Sequence, residues 1–125
     1  MSDKKTYKIT IEHEIPEQII LDILTCAVES GIAYWMNEDS TNVDYKRNKA
    51  GDIVECSFDN NATGEVISYV VKPVDILFAI QQLLRDRRYA VTDRLVHISS
   101  EDFDYDADDA DVVFQMACFG EVVYG

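Results

Sequence analysis

The sequence predicts an α+β fold, a small and mostly antiparallel sheet packed against two or three helices. Three observations predict it. Residues 6–15 alternate apolar with polar side chains, each of the two prolines opens a helical stripe, and two β-rich runs flank a turn-forming pentapeptide.

In chain order, Tyr7, Ile9, Ile11, His13 and Ile15 share one face of the expected first strand, and Lys8, Thr10, Glu12 and Glu14 the other. Pro16 suits the first turn of a helix, where its missing N–H costs nothing, and Ile20, Ile23, Leu24, Ala27 and Val28 form the stripe that follows. Gly31 is the expected stop. The apolar run Ile32 to Met36 is short for a further helix and is expected as a strand. Residues 37–51 are polar and read as a loop, with a short strand near Val43–Tyr45.

Asp52–Asp59 and Glu65–Val71 then form a hairpin across Asn60 to Gly64. Pro73 opens a second helix with Ile76, Leu77, Ile80, Leu83 and Leu84 as its stripe and Arg85, Arg87 and Arg88 at its negative end. Residues 89–98 read either as a strand, by β-branched content, or as a short helix capped by Asp93. Ser99–Asp106 is an acidic loop, and Ala107–Cys118 a helix with Ala110, Val113, Phe114 and Ala117 inward and Gly120 as its stop. Glu121–Tyr124 either adds a terminal strand or packs as a tail.

At 125 residues the chain has the size of one domain, residues 1–125. A hydrophobic content of 47% supplies a core without metal or disulfide staples. The net charge is −13, from 24 acids against 11 bases, and the acids crowd the C-terminal third, where Arg94 is the one base after residue 88. Such a surface repels free nucleic acid and anionic membranes, because phosphate binding depends on Lys and Arg. The bases form three clusters: Lys4, Lys5 and Lys8; Lys46, Arg47 and Lys49; Arg85, Arg87 and Arg88. Cys26, Cys56 and Cys118 are widely spaced in apolar segments and read as buried, reduced thiols. No window approaches the roughly 18 apolar residues of a membrane span, and the start of the chain has no apolar signal region, so a cytoplasmic protein is expected.

The stretch Glu101 to Asp111 carries the densest charge. Its alternating carboxylates resemble the opening of a calcium loop, yet the demanding sixth and twelfth positions fall on Ala107 and Val113, or on Asp109 and Gln115, which rules that template out. Capping by Asp104 or Asp106, with Asp108 and Asp109 near the positive end of the next helix, accounts for some of these acids. The others, with Glu101, Asp102 and Asp111, leave an acidic interaction face as a reading beside a plain solvated surface. His13 and His97 both lie in apolar contexts and read as core or rim residues. No nucleophile elbow, P-loop or dinucleotide fingerprint occurs, so neither an enzyme nor a cofactor or metal site is expected, and acid–base catalysis would need a cleft joining a histidine to carboxylates. A second ligand reading stacks a nucleotide-like anion on Tyr34 and Trp35 and holds its phosphate with Arg85, Arg87 and Arg88.

The ending Gln115-Met116-Ala117-Cys118-Phe119-Gly120-Glu121-Val122-Val123-Tyr124-Gly125 resembles that of small bacteriophage and prophage proteins, which close on a Gln-containing helix and Phe-Gly-Glu-x-Val-Tyr-Gly. The segment Cys26 to Trp35, with glycine shortly before Tyr-Trp, is similar to theirs too. This resemblance implies no activity and transfers no functional residue. It does imply a protein that acts by binding: a non-enzymatic antagonist of a host nucleic-acid-handling or defence machine, working in the bacterial cytoplasm and presenting Glu101, Asp102, Asp104, Asp106, Asp108, Asp109 and Asp111 to a host protein. The alternatives are the anion-sequestering protein above and a structural or assembly accessory. Phe119, Val122, Val123 and Tyr124 are expected either to dock on their own domain or to serve as a contact in a homo-oligomer.

Overall fold

A computed structural model describes residues 14–86, 88–100 and 103–125. The expected first strand lies outside the described residues except for Glu14 and Ile15, as do His13, Arg87, Glu101 and Asp102.

Pro16 holds extended backbone at the cap of α1 (Glu17–Cys26), whose Ile20, Leu21, Ile23 and Leu24 turn inward. The helix ends at Gly31 as expected, and the helix that follows is bent 64° from it. Before that end it widens into a π-turn over Ala27–Gly31, closed by Ile32 N–H donating to the Ala27 carbonyl at 3.0 Å, and the chain then re-enters a helix, α2 (Ala33–Asp39). The strand expected at Ile32–Met36 is therefore corrected. Ile32, Trp35 and Met36 are buried while Ala33 and Tyr34 face out, a helical spacing that five apolar residues are too few to reveal. Gly31 serves close approach: a Cβ there would stand 2.5 Å from the Ala107 carbonyl oxygen.

The polar stretch after α2 holds a full strand, β1 (Ser40–Arg47), longer than the segment expected near Val43–Tyr45. Every residue from Thr41 to Arg47 is exposed, so no alternation of polarity announces it. A bulge between Thr41 and Asp44 places Asn42 at φ 54°, a conformation asparagine tolerates better than most residues. The hairpin expected across Asn60–Gly64 is present as β2 (Ile53–Asn60) and β3 (Ile67–Val71), paired Cys56 with Val71 and Phe58 with Tyr69. The antiparallel order is β1-β2-β3.

α3 (Pro73–Arg85) begins where expected. The Lys72 N–H donates to the Asp75 carboxylate at 2.8 Å, and Ile76, Ala79, Ile80 and Leu83 are buried. Residues 89–98 adopt the helical alternative as α4 (Val91–Leu95), with Ala90 and not Asp93 at the cap. The Thr92 hydroxyl donates to the Leu83 carbonyl at 2.8 Å, which ties α4 to the end of α3. α5 (Ala107–Phe119) follows, and Glu121–Gly125 packs as a tail.

The fold is a small α+β one, with five helices in place of the expected two or three because residues 33–39 and 91–95 are helical. The helices cover the sheet face that carries Cys56, Phe58 and Val71. Trp35 sits at the centre of the core, with its ring centroid 5.9 Å from Phe58, 6.1 Å from Phe114 and 5.8 Å from Phe119. The opposite face is mostly polar, with Val70 exposed on it beside Ser57. Lys46 and Lys72 pair with Glu55, and Asn42 and Ser68 donate to Asp59, whose carboxyl those two bonds hold below the usual carboxylate range. Among the described residues no single helix is long and apolar enough to cross a membrane.

Candidate functional site: an acidic cleft at the start of α5

α5 explains why the acidic stretch does not behave as one face. It packs against α1, the π-turn, α3 and β3, so Asp109, Ala110, Asp111, Val113, Phe114, Gln115 and Met116 are all buried. The expected inward positions were Ala110, Val113, Phe114 and Ala117; burial on α5 extends well beyond them. Asp104, Asp106 and Asp108 stay exposed, while Asp109 and Asp111 are turned inward and committed to internal partners, which corrects their place in an exposed face.

Asp106 caps α5. Its carboxylate accepts the Asp109 N–H at 2.8 Å, and Asp109 accepts the Asp106 N–H at 3.2 Å in return. Both Asp109 oxygens also receive the guanidinium of Arg94, through Nε and Nη2. A half-exposed cation is thereby neutralised by a buried carboxylate, and the bond to Asp109 holds Arg94 still more firmly protonated.

Asp111 lies deeper. The Tyr34 hydroxyl donates to it at 2.7 Å, the Trp35 indole N–H at 2.9 Å and the Gln115 amide at 2.9 Å, so a buried carboxylate is satisfied by neutral donors. Partial burial and the bond to Asp111 push the Tyr34 phenol up to about 12. The other end of Gln115 accepts the N–H groups of Val123 and Tyr124, both at 2.8 Å. That clip holds the tail so that Tyr124 stacks on Trp35, with centroids 4.7 Å apart and planes 3° from parallel. Of the apolar tail residues, Val123 remains exposed, and the docked alternative is the one observed.

These contacts dissolve the stacking site expected for a nucleotide-like anion. Trp35 is buried, with Tyr124 over one face. Tyr34 is spent on Asp111, and Arg88 is held by Asp86 at 2.7 Å and lies over the Tyr89 ring; Arg85 is exposed at the end of α3.

The concave site lies elsewhere, where α4 and the following loop meet the start of α5. A cleft of about 510 Å³ is lined by Arg94, His97, Ser100, Asp104, Tyr105, Asp106 and Asp109. One guanidinium stands against three carboxylates there, so the cleft is net negative. His97 is exposed in it, contrary to the core or rim position expected, because Leu95 and Ile98 turn inward in this helical stretch and leave His97 outward. Tyr105 stacks on Phe103 at 5.6 Å, and burial together with nearby Cys26 and Asp22 pushes its phenol up to about 12.

Sequence reasoning missed Arg94, Ser100 and Tyr105 as cleft residues. The spacing of Asp106 and Asp109 marks a capping box, which was the available signal that Asp109 belongs to the helix and not to the surface. Among the described residues no group of three or more His, Cys, Asp or Glu is placed to hold a metal ion. Compared with protein-family models, curated proteins and solved structures, the chain matches none.

Proposed function

We propose that the chain is a non-enzymatic binding protein that receives a Lys- or Arg-bearing element of a partner protein in the α4–α5 cleft. The observation that carries this reading is the neutralisation of Arg94 by Asp109. With its cation spent, the concavity presents Asp104 and Asp106 to solvent, beside exposed Asp93 and Asp108. Carboxylates in a cleft focus negative potential, so they speed encounter with a basic partner and lose that advantage as salt screens them. A surface that a nucleic-acid-binding protein uses for phosphates carries the complementary charge. An antagonist of a host nucleic-acid-handling or defence machine, as the phage-like ending suggests, would exploit it.

The test is an NMR titration of labelled protein with an arginine-rich peptide at low and high salt. The reading expects amide shifts concentrated at residues 93–109, weakened by salt and abolished in an Asp93→Lys/Asp104→Lys variant, which leaves the Asp106–Asp109 cap intact. Shifts scattered evenly over all acidic surfaces, or none at all, would defeat it.

A second reading, acid–base chemistry, gains support from His97 sharing the cleft with Asp104 and Asp106, which is the arrangement such chemistry requires. His97→Ala separates the two, because it removes a proton carrier while leaving the carboxylates that would bind the peptide.

A further inference from the structure

We propose that two copies of this chain associate through the outer edge of β1, pairing that strand antiparallel with its counterpart about Tyr45. The inference is independent of the cleft. β1 is an edge strand, and among the described residues no strand pairs with its outer side. Unpaired backbone N–H and C=O groups along such an edge are a template for a second strand.

The side chains select which strand. Opposed residues in an antiparallel pair share a face, so Tyr45 lies on the helix side with Cys56, its partner in β2, and Val43 shares that side two residues earlier. Neither is covered: Val43 is 37% and Tyr45 48% exposed. Asp44 and Lys46 lie on the outer face, opposite Ser57 and Glu55. An interface between identical copies about a two-fold axis must be self-complementary. When the axis passes through Tyr45, Asp44 of each copy faces Lys46 of the other, and the two tyrosines meet beneath the join. When the register moves so that the axis passes through Asp44 or Lys46, like charges face one another. The Tyr45-centred register is thus the one that the charges favour.

The bulge at Asn42 and the exposed Lys46 are devices that blunt strand edges, but in this register Asp44 of the second copy joins Glu55 of the same chain, 3.1 Å from Lys46, as a counter-charge. Long-range charge points to the same place. A chain of net charge −13 repels its own copies, and the stretch from Ser40 to Gly51 holds one of its three basic clusters, with Lys46, Arg47 and Lys49 against Asp44 alone. Two copies therefore meet here with less repulsion than along the acidic C-terminal third, and Glu55 and Glu29 of each chain offset Lys46 and Arg47.

Sedimentation equilibrium across the micromolar range tests this on the full chain, with Asp44→Lys, Lys46→Asp and the double exchange. All four positions in the paired strands are exposed, so a circular-dichroism melt should show each variant folded. The wild-type protein is expected to dimerise, each single exchange to weaken the dimer about tenfold or more by setting like charges face to face, and the double exchange to restore it. A protein that stays monomeric throughout, its edge covered within one chain or left bare, overturns the proposal. So does a dimer that ignores the single exchanges.

Discussion

The indole N–H of Trp35 donates to the carboxylate of Asp111 at 2.9 Å inside the core, and Asp111 in turn receives Tyr34 and Gln115. One carboxylate therefore ties α2 to α5, and through Gln115 ties both to the tail.

Asp111→Ala is expected to destabilise the fold by about 3 kcal/mol, since it leaves the buried indole and amide donors unsatisfied while Tyr34 can turn to water. Asp111→Asn keeps one acceptor oxygen and should cost only about 1 kcal/mol. Urea unfolding of the two variants checks the order. Equal losses would show that charge, and not acceptor count, is what the site needs.

Gly31 makes the closest packing argument in the molecule. A Cβ at this position would meet the backbone oxygen of Ala107 at 2.5 Å, an atom that cannot swing aside. Gly31→Ala should therefore cost about 2–3 kcal/mol by forcing the π-turn off α5. Gly51→Ala is the control. It has open space around it but φ at +91°, so strain alone applies and the loss should be about 1 kcal/mol. Thermal melts of the pair distinguish collision from backbone strain.

How much of this was legible in the residues follows from what each element does. α1, α3, α5 and the β2–β3 hairpin announce themselves because an apolar stripe or a flanking proline and turn reports a half-buried element. β1 does not, because it is exposed on both faces and carries no alternation. α2 does not, because in a run as short as Ile32–Met36 helical and extended spacings bury similar residues. The site was legible in kind but not in detail. The acidic stretch does contribute to a concave surface, yet one-dimensional charge density cannot tell Asp104, which faces water, from Asp111, which faces Trp35. That distinction depends on α5 being enclosed by four elements. Arg94, distant in sequence from the densest acids, was legible only as a lone base.

Phenol titration gives the fold a definite alkaline limit. Tyr34 and Tyr105 ionise at about 12 when folded and near 10 when unfolded, mainly because burial opposes the charged form. Below pH 10 both states keep these protons and the stabilising contribution is complete. Above it the unfolded chain releases protons that the folded chain still holds, so stability falls as pH rises towards 12. Denaturant unfolding at intervals over that range should show the decline, and Tyr105→Phe should make it shallower. A flat profile would contradict the burial assigned to these hydroxyls.

Trp35 is the chain's one tryptophan, so its fluorescence reports a single site. With Tyr124 stacked on its ring and Phe58, Phe114 and Phe119 around it, native emission should be blue-shifted and poorly accessible to iodide. Tyr124→Ala removes the stacked ring directly. Gln115→Ala acts one step removed, by releasing the N–H groups of Val123 and Tyr124 and so undocking the tail. Both variants should shift emission to the red and raise iodide quenching, and trypsin-independent cleavage by a broad-specificity protease should begin within residues 121–125 only for the Gln115 variant. If Gln115→Ala left emission and quenching unchanged, the stacking of Tyr124 on Trp35 would have to hold the tail without the clip, and the link from Asp111 through Gln115 to the tail would be broken.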